Sequence, residues 1–149
     1  MEKALTALLN FSPVQVVTGQ DLPTGACYDP RSMTLAIDPD ISDSQAFAAI
    51  AAEIAHARAH DRGRDSGYSR DKYELTAQSV SFVLCRRFGV AREAPDLSGL
   101  DALYQNKEPQ ERLTQLSGIQ SVSRQVGGAV ERAVEPPQRA QPVRHDSAR

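Results

Sequence analysis

Two apolar stripes at helical spacing, separated by a short run of glycine and charged residues, constrain the fold of this chain most strongly. The first stripe predicts a helix over residues 43–61, and the second predicts a helix over residues 71–88. The second helix should end at Gly89, which suits the left-handed cap position. Because both helices carry an apolar stripe, we expect them to pack side by side. The stripes consist of Phe47, Ile50, Ala51 and Ile54, and of Tyr73, Ala77, Val80, Leu84 and Phe88.

The residues before these helices predict a short helix and a small sheet. Residues 1–10 carry leucines on one side, and Pro13 ends that helix because the residue before a proline is pushed out of the α region. Residues 14–18 are rich in β-branched side chains and predict a strand. Residues 26–37 predict a hairpin with a proline turn at 29–32. The fold class predicted from this order is α+β, with a small antiparallel sheet.

The end of the chain predicts one more helix and then a tail. A third long helix should start at Pro109, a favoured first-turn residue, and reach Val134. From Pro136 the sequence is rich in Pro, Gln, Arg and Ser and has no aromatic residue, which predicts disorder over 136–149. A length of 149 residues is that of a single domain, so we expect one domain over residues 1–135.

Composition argues against several classes of protein. Seventeen basic and nineteen acidic residues give a net charge of −2, so no overall positive field indicates nucleic acid or an anionic membrane. No apolar run approaches the roughly 18 residues of a membrane span, and the charged start predicts no signal peptide. Cys27 and Cys85 are too few for a disulfide framework. We therefore expect a cytoplasmic globular protein.

Two histidines on the first long helix are candidates for chemistry. His56 and His60 lie four residues apart, so both imidazoles share one helix face and are close enough to share a metal ion. Glu53 lies one turn earlier, and Glu74 opens the next helix with Gln78 one turn further along. A helix-borne histidine pair with a carboxylate from a following helix is the ligand set of many zinc hydrolases.

These residues also have interpretations that need no metal. The two histidines can form a solvated polar face of the helix. Glu74 can be the fourth residue of a capping box that begins at Asp71, in which its carboxylate returns to the start of the helix.

The segments that contain these residues resemble a zincin-like domain of the gluzincin type. Residues 51–61 read AAEIAHARAHD, and residues 73–89 read YELTAQSVSFVLCRRFG. They are most similar to the ImmA/IrrE-type metallopeptidases and to the catalytic-like domain of ArdC-type antirestriction proteins. Those families place a small sheet before an HExxH helix and a third-ligand glutamate on the helix after it. The resemblance covers roughly residues 14–134 and implies a protein of a mobile genetic element.

The resemblance also implies a degenerate HExxH motif. In the register of the flanking sequence the box begins at Ala52, so the first histidine is replaced, while Glu53 as general base and His56 as second histidine are present. Glu74 stands at the third-ligand position. Gln78 stands where the family has an acidic residue, and an amide cannot hold an imidazole as a carboxylate does.

A shift of the motif by four residues does not restore it. Both histidines, His56 and His60, are then present, but the position of the general base is Ala57. Neither register therefore gives an intact site.

Three functions remain open at this point. The first is a zincin-fold module with impaired catalysis and weak or absent zinc, which acts by binding a protein partner. Such a partner would pair as an extended peptide with the hairpin edge at residues 34–37 and occupy the neighbouring cleft above Glu53 and His56. The second is an active zinc metallopeptidase with His56, His60 and Glu74 as ligands and Glu53 polarising a water molecule. The third is an antirestriction or DNA-processing accessory, which would contact nucleic acid.

Overall fold

The described part of the chain forms four helices and a three-stranded sheet. The computed structural model describes residues 1–60, 67–92 and 109–134, so the predicted tail at 136–149 lies outside the described residues. The predicted α+β class is confirmed. In chain order the elements are α1 (Glu2–Asn10), β1 (Gln15–Thr18), β2 (Ala26–Asp29), β3 (Thr34–Ile37), α2 (Asp43–His60), α3 (Arg70–Arg87) and α4 (Pro109–Val134).

The sheet is mixed, and the prediction of an antiparallel sheet is wrong. Strand β3 lies in the middle, antiparallel to β2 and parallel to β1. The cause is the path of the chain, since β2 reverses the direction of β1 and β3 reverses it again. When β3 then pairs with β1, the two strands run in the same direction. The hairpin of β2 and β3 is present as predicted, and the Met33 N–H closes its turn by donating to the Asp29 carbonyl at 2.8 Å.

This strand order also overturns the prediction that a peptide partner pairs with residues 34–37. Both edges of β3 are already paired. Leu35 of β3 has Val16 of β1 as its neighbour on one side and Tyr28 of β2 on the other. An extended peptide therefore finds no free main-chain edge on β3. The outer strands of the sheet are β1 and β2.

Helix α2 lies in the centre of the fold, in contact with α1, α3, β2 and β3. Residues 46–57 include ten buried positions distributed around the helix, which fits a helix surrounded by protein. Phe47, Ile50 and Ile54 fill the space between the layers and are at most 1% exposed. Alanines occupy most of the other buried positions and let the neighbouring elements approach closely. Glu53 and His56 are therefore carried into the core of the domain.

Helix α3 is fixed at both ends by local hydrogen bonds. Its N-cap is Ser69, whose hydroxyl oxygen accepts from the Lys72 N–H at 3.2 Å. Because the cap is Ser69 and not Asp71, the capping-box interpretation of Glu74 is wrong. The helix stops before Gly89, which has the left-handed φ of +71° that its cap position predicts.

A matched pair of leucine substitutions tests this packing. Leu84 on α3 is completely buried, whereas Leu113 on α4 is 63% exposed. We expect Leu84→Ala to lower the free energy of unfolding by about 2–5 kcal/mol, because it removes buried methyl groups and leaves a cavity. Leu113→Ala should change it by less than about 0.5 kcal/mol. Urea unfolding followed by circular dichroism measures both, and equal losses would contradict the packing of α3 in the core.

Candidate functional site

The carboxylate of Glu53 is the most buried charge of the candidate site. Its side chain is 2% exposed, and donors from two other elements take both of its oxygens. Oε1 accepts from the Tyr28 N–H of β2 at 2.8 Å and from Arg70 Nη1 at 2.9 Å. Oε2 accepts from Arg70 Nη2 at 2.6 Å. A buried carboxylate is tolerated only when it is paired and hydrogen-bonded, and the two-pronged guanidinium meets both conditions.

Arg70 stands at the first turn of α3 and reaches back to α2. The hydrogen bond to Glu53 raises the pKa of the Arg70 guanidinium further above its ordinary value, so the cation is permanent. Its Nε also lies 3.9 Å from Glu74 Oε1, one turn along the same helix. Arg70 therefore places one positive charge between the two carboxylates that the resemblance assigns to base and metal ligand.

His56 is completely buried, and both of its ring nitrogens have partners. Nε2 lies 2.8 Å from Glu74 Oε1, so the expected meeting of these two side chains is confirmed. Nδ1 lies 3.0 Å from the hydroxyl of Tyr68. The hydrogen bond from His56 lowers the pKa of Glu74, which is therefore an ionised acceptor at neutral pH. An ionised carboxylate can only accept, so His56 Nε2 donates to Glu74 Oε1.

Tyr68 covers this pair from the segment that leads into α3. Its ring stacks on Tyr73 with a centroid separation of 5.5 Å and an interplanar angle of 12°. It also contacts His60, with ring centroids 5.0 Å apart. Burial raises the pKa of the Tyr68 hydroxyl to about 12, so the hydroxyl keeps its proton at neutral pH.

His60, which the sequence predicts as a metal ligand, contacts a tyrosine of the sheet. Its Nδ1 is hydrogen-bonded to the Tyr28 hydroxyl of β2, and its ring packs against Tyr28 and Tyr68. Among the described residues, no group of three or more His, Cys, Asp or Glu side chains lies close enough together to hold a metal ion. His56 and Glu74 therefore meet without His60 as a third member.

Gln78 supports Glu74 and not an imidazole. Its Nε2 donates to Glu74 Oε2 at 2.8 Å, and its Oε1 accepts from Arg92 Nη2 at 2.5 Å. Arg92 also donates through Nη1 to the Ser81 hydroxyl at 2.6 Å. An amide at position 78 can accept and donate at once, so it connects a carboxylate to a guanidinium.

A cleft of about 480 Å³ opens beside Ala52, on the side of α2 that faces Gln78 and Arg92. We call it the α2 cleft. Four small residues line it, namely Ala48, Ala49, Ala52 and Ala91. Its other lining residues are polar or charged, namely Thr24, Ser42, Ser44, Gln45, Gln78 and Arg92.

The zinc ion that the resemblance implies does not fit the side chains in this arrangement. Ala52 has no donor atom, and the oxygens of Glu53 are engaged by Arg70 and by the backbone of β2. Of the expected donors only His56 and Glu74 are together, and they are hydrogen-bonded to each other. A zinc site with three protein ligands needs a further nitrogen, sulfur or oxygen donor at this point.

Sequence reasoning missed Tyr68, Arg70 and Arg92. Each of them lies in or next to a break between helices, where spacing gives no indication of the contacted partner. A weak signal existed for Arg70, because an unpaired buried carboxylate at Glu53 requires a nearby cation.

No protein-family model, curated protein or solved structure matches this chain. No described helix has both the length and the apolar composition needed to cross a membrane. The contacts of Glu53, His56 and Glu74 are therefore the basis of the functional proposal.

The lowered pKa of Glu74 predicts a pH dependence of stability. A carboxyl group whose pKa is lower in the folded protein stabilises the fold above its ordinary pKa, which is 4.5 here, and loses that contribution as the pH falls through the folded value. The unfolding free energies of wild type and Glu74→Gln should therefore differ most above pH 4.5 and converge in more acidic solution. Urea titrations across the acidic range measure this, and a difference independent of pH would contradict the assigned charge.

Proposed function

We propose that this chain is a zincin-like domain with impaired catalysis that acts by binding a protein partner. The observation that carries this proposal is that both carboxylate oxygens of Glu53 already accept hydrogen bonds. A general base must reach the proton that it abstracts, directly or through one water molecule. Arg70 and the Tyr28 N–H occupy both oxygens of Glu53, so the glutamate is a structural ion-pair partner in this arrangement.

The histidines support the same proposal. His56 is enclosed by Glu74 and Tyr68, and His60 is hydrogen-bonded to Tyr28. A peptidase that used His56, His60 and Glu74 as zinc ligands would have to break all three of these contacts. Binding of a partner requires none of these changes, since the α2 cleft is already open beside Ala52.

Zinc titration of two alanine variants tests the proposed loss of a ligand. If Ala52 stands at the first histidine position, Ala52→His should strengthen zinc binding by several kcal/mol, because it adds an imidazole one turn from His56. Ala48→His is the matched control, since it adds the same imidazole to the cleft one turn further away. Competition with a chelating dye measures both affinities. Equal affinities of wild type and Ala52→His would show that the motif register is wrong.

A digest of a peptide library measures hydrolysis directly. Wild type supplied with one equivalent of zinc should show no peptide cleavage that a chelator can inhibit. Mass spectrometry of the library before and after incubation gives the result. Zinc-dependent cleavage that disappears in Glu53→Gln would overturn the proposal and establish the peptidase alternative.

A further inference from the structure

A second cavity lies between α3 and α4, and none of its lining residues belongs to the candidate site. Its volume is about 300 Å³, which is within the range of ligand pockets. We call it the α3–α4 groove. Two residues of α3 and four of α4 line it, at spacings that place them on one face of each helix. They are Val83 and Arg87, and Ile119, Gln120, Ser123 and Arg124.

The groove carries positive charge. Among its described lining residues, Arg87 and Arg124 are charged at neutral pH, and no carboxylate is present. Arg87 Nη2 donates to Glu131 Oε1 at 3.1 Å, which uses one of the five N–H donors of the guanidinium. Arg124 is exposed, and no ion pair or hydrogen bond among the described residues includes it. An anionic group in the groove therefore meets two guanidinium groups and no carboxylate in the lining.

The position of Arg87 depends on Gly127, in the middle of α4. A Cβ atom at residue 127 would overlap the guanidinium of Arg87. A glycine inside a helix costs about 1 kcal/mol relative to alanine. The missing side chain therefore gives the Arg87 guanidinium the room to lie against α4, beside the groove.

Ser123 adds a hydroxyl that lacks a partner. Its side chain is buried at 6% exposure, and its Oγ has no hydrogen-bond partner in the described part of the chain. Buried hydroxyl groups are nearly always hydrogen-bonded, so an acceptor beside Ser123 would satisfy this one. The polar part of the lining thus consists of two guanidinium groups, the amide of Gln120 and this hydroxyl.

An exposed apolar stripe leads into the groove. Leu113 and Leu116 precede Gln120 on the same face of α4 and are 63% and 52% exposed. Val83, across the groove on α3, is 42% exposed. Contiguous exposed apolar surface with a polar rim is typical of a surface that binds another protein. An occupant of this face therefore meets apolar side chains at one end and positive charge at the other.

We propose that the α3–α4 groove binds an acidic amphipathic helix of a partner protein. Carboxylates of that helix pair with Arg87 and Arg124, and its apolar side lies along Leu113, Leu116 and Val83. Charge complementarity selects this occupant, because a second copy docked groove to groove would bring like charges together. The inference rests on the proposed function, since it names the surface and the chemistry of the protein partner.

Three peptides test the predicted chemistry. The probe is an acetylated and amidated helical peptide of sixteen residues, with leucines on one face and glutamates on its flanks. Glutamine or lysine replaces every glutamate in the two control peptides. Each is titrated into the ¹⁵N-labelled full chain, and the amide signals of Ile119, Ser123 and Arg124 are followed. The glutamate peptide should bind at least about tenfold more tightly than either control, a difference of about 1.4 kcal/mol.

A charge reversal in the groove tests the site itself. Arg124→Glu should weaken binding of the glutamate peptide by about tenfold or more, because it replaces attraction by repulsion. The side chain is exposed, so we expect the fold to be kept, and circular dichroism checks this. Arg132→Glu is the matched control, since Arg132 is exposed on the same helix and does not line the groove. It should leave the affinity unchanged.

Two glycine substitutions test the position of Arg87. Gly127→Ala should displace the guanidinium of Arg87 and weaken binding by about threefold or more, the size of one exposed ion pair. Gly118→Ala is the matched control, because a Cβ there meets nothing within 4 Å. Alanine favours the helix at both positions, so a loss confined to Gly127→Ala would not reflect unfolding.

The outcomes distinguish this inference from the proposed function. Equal binding of the three peptides, no binding of any, or equal losses within either matched pair would overturn the acidic-helix site. It would also be overturned if Arg124→Glu abolished dimerisation of the chain in sedimentation, or binding to phosphatidylserine vesicles that exceeds binding to the peptide. All these results leave the absence of hydrolysis untouched. Chelator-sensitive cleavage by a protein that still prefers the glutamate peptide would overturn the proposed loss of catalysis alone.

Discussion

Glu53 brings a negative charge into the centre of the fold, on a helix whose other buried positions are almost all apolar. That charge can remain there only if donors surround it, and they come from two different elements, the Tyr28 backbone of β2 and the Arg70 side chain of α3. One carboxylate therefore ties the sheet and the following helix to α2. The same contacts engage both oxygens of the Glu53 carboxylate.

The helices of this fold could be predicted from sequence because their signals are local. Apolar stripes, Gly89 as a left-handed cap and Pro109 at a first turn each act within a few residues, and the helices lie close to the predicted bounds. The order of the strands could not be predicted in this way. Pairing of β1 with β3 is a long-range choice that leaves no period in the sequence, so the mixed sheet and the central position of β3 were missed.

The candidate site was predictable in part for the same reason. Packing of two apolar stripes was enough to bring His56 and Glu74 together. The spacing of His56 and His60 predicted a shared helix face. It did not show that His60 would form a hydrogen bond with Tyr28 of the hairpin. The resemblance gave Glu53 its place in the motif, but the guanidinium of Arg70 comes from across the break between helices. Contacts of this kind depend on tertiary structure and not on any local pattern.

A double-mutant cycle on Glu53 and Arg70 tests the central claim most directly. The unfolding free energies of wild type, Glu53→Gln, Arg70→Met and the double variant give the coupling between the two side chains. The side chain of Arg70 is 42% exposed, which weakens the pair through solvent, yet the buried carboxylate should still give a coupling of about 2 kcal/mol. If the two single variants instead lose stability additively, so that the coupling is close to zero, the claim that Arg70 pairs with the buried Glu53 carboxylate is contradicted.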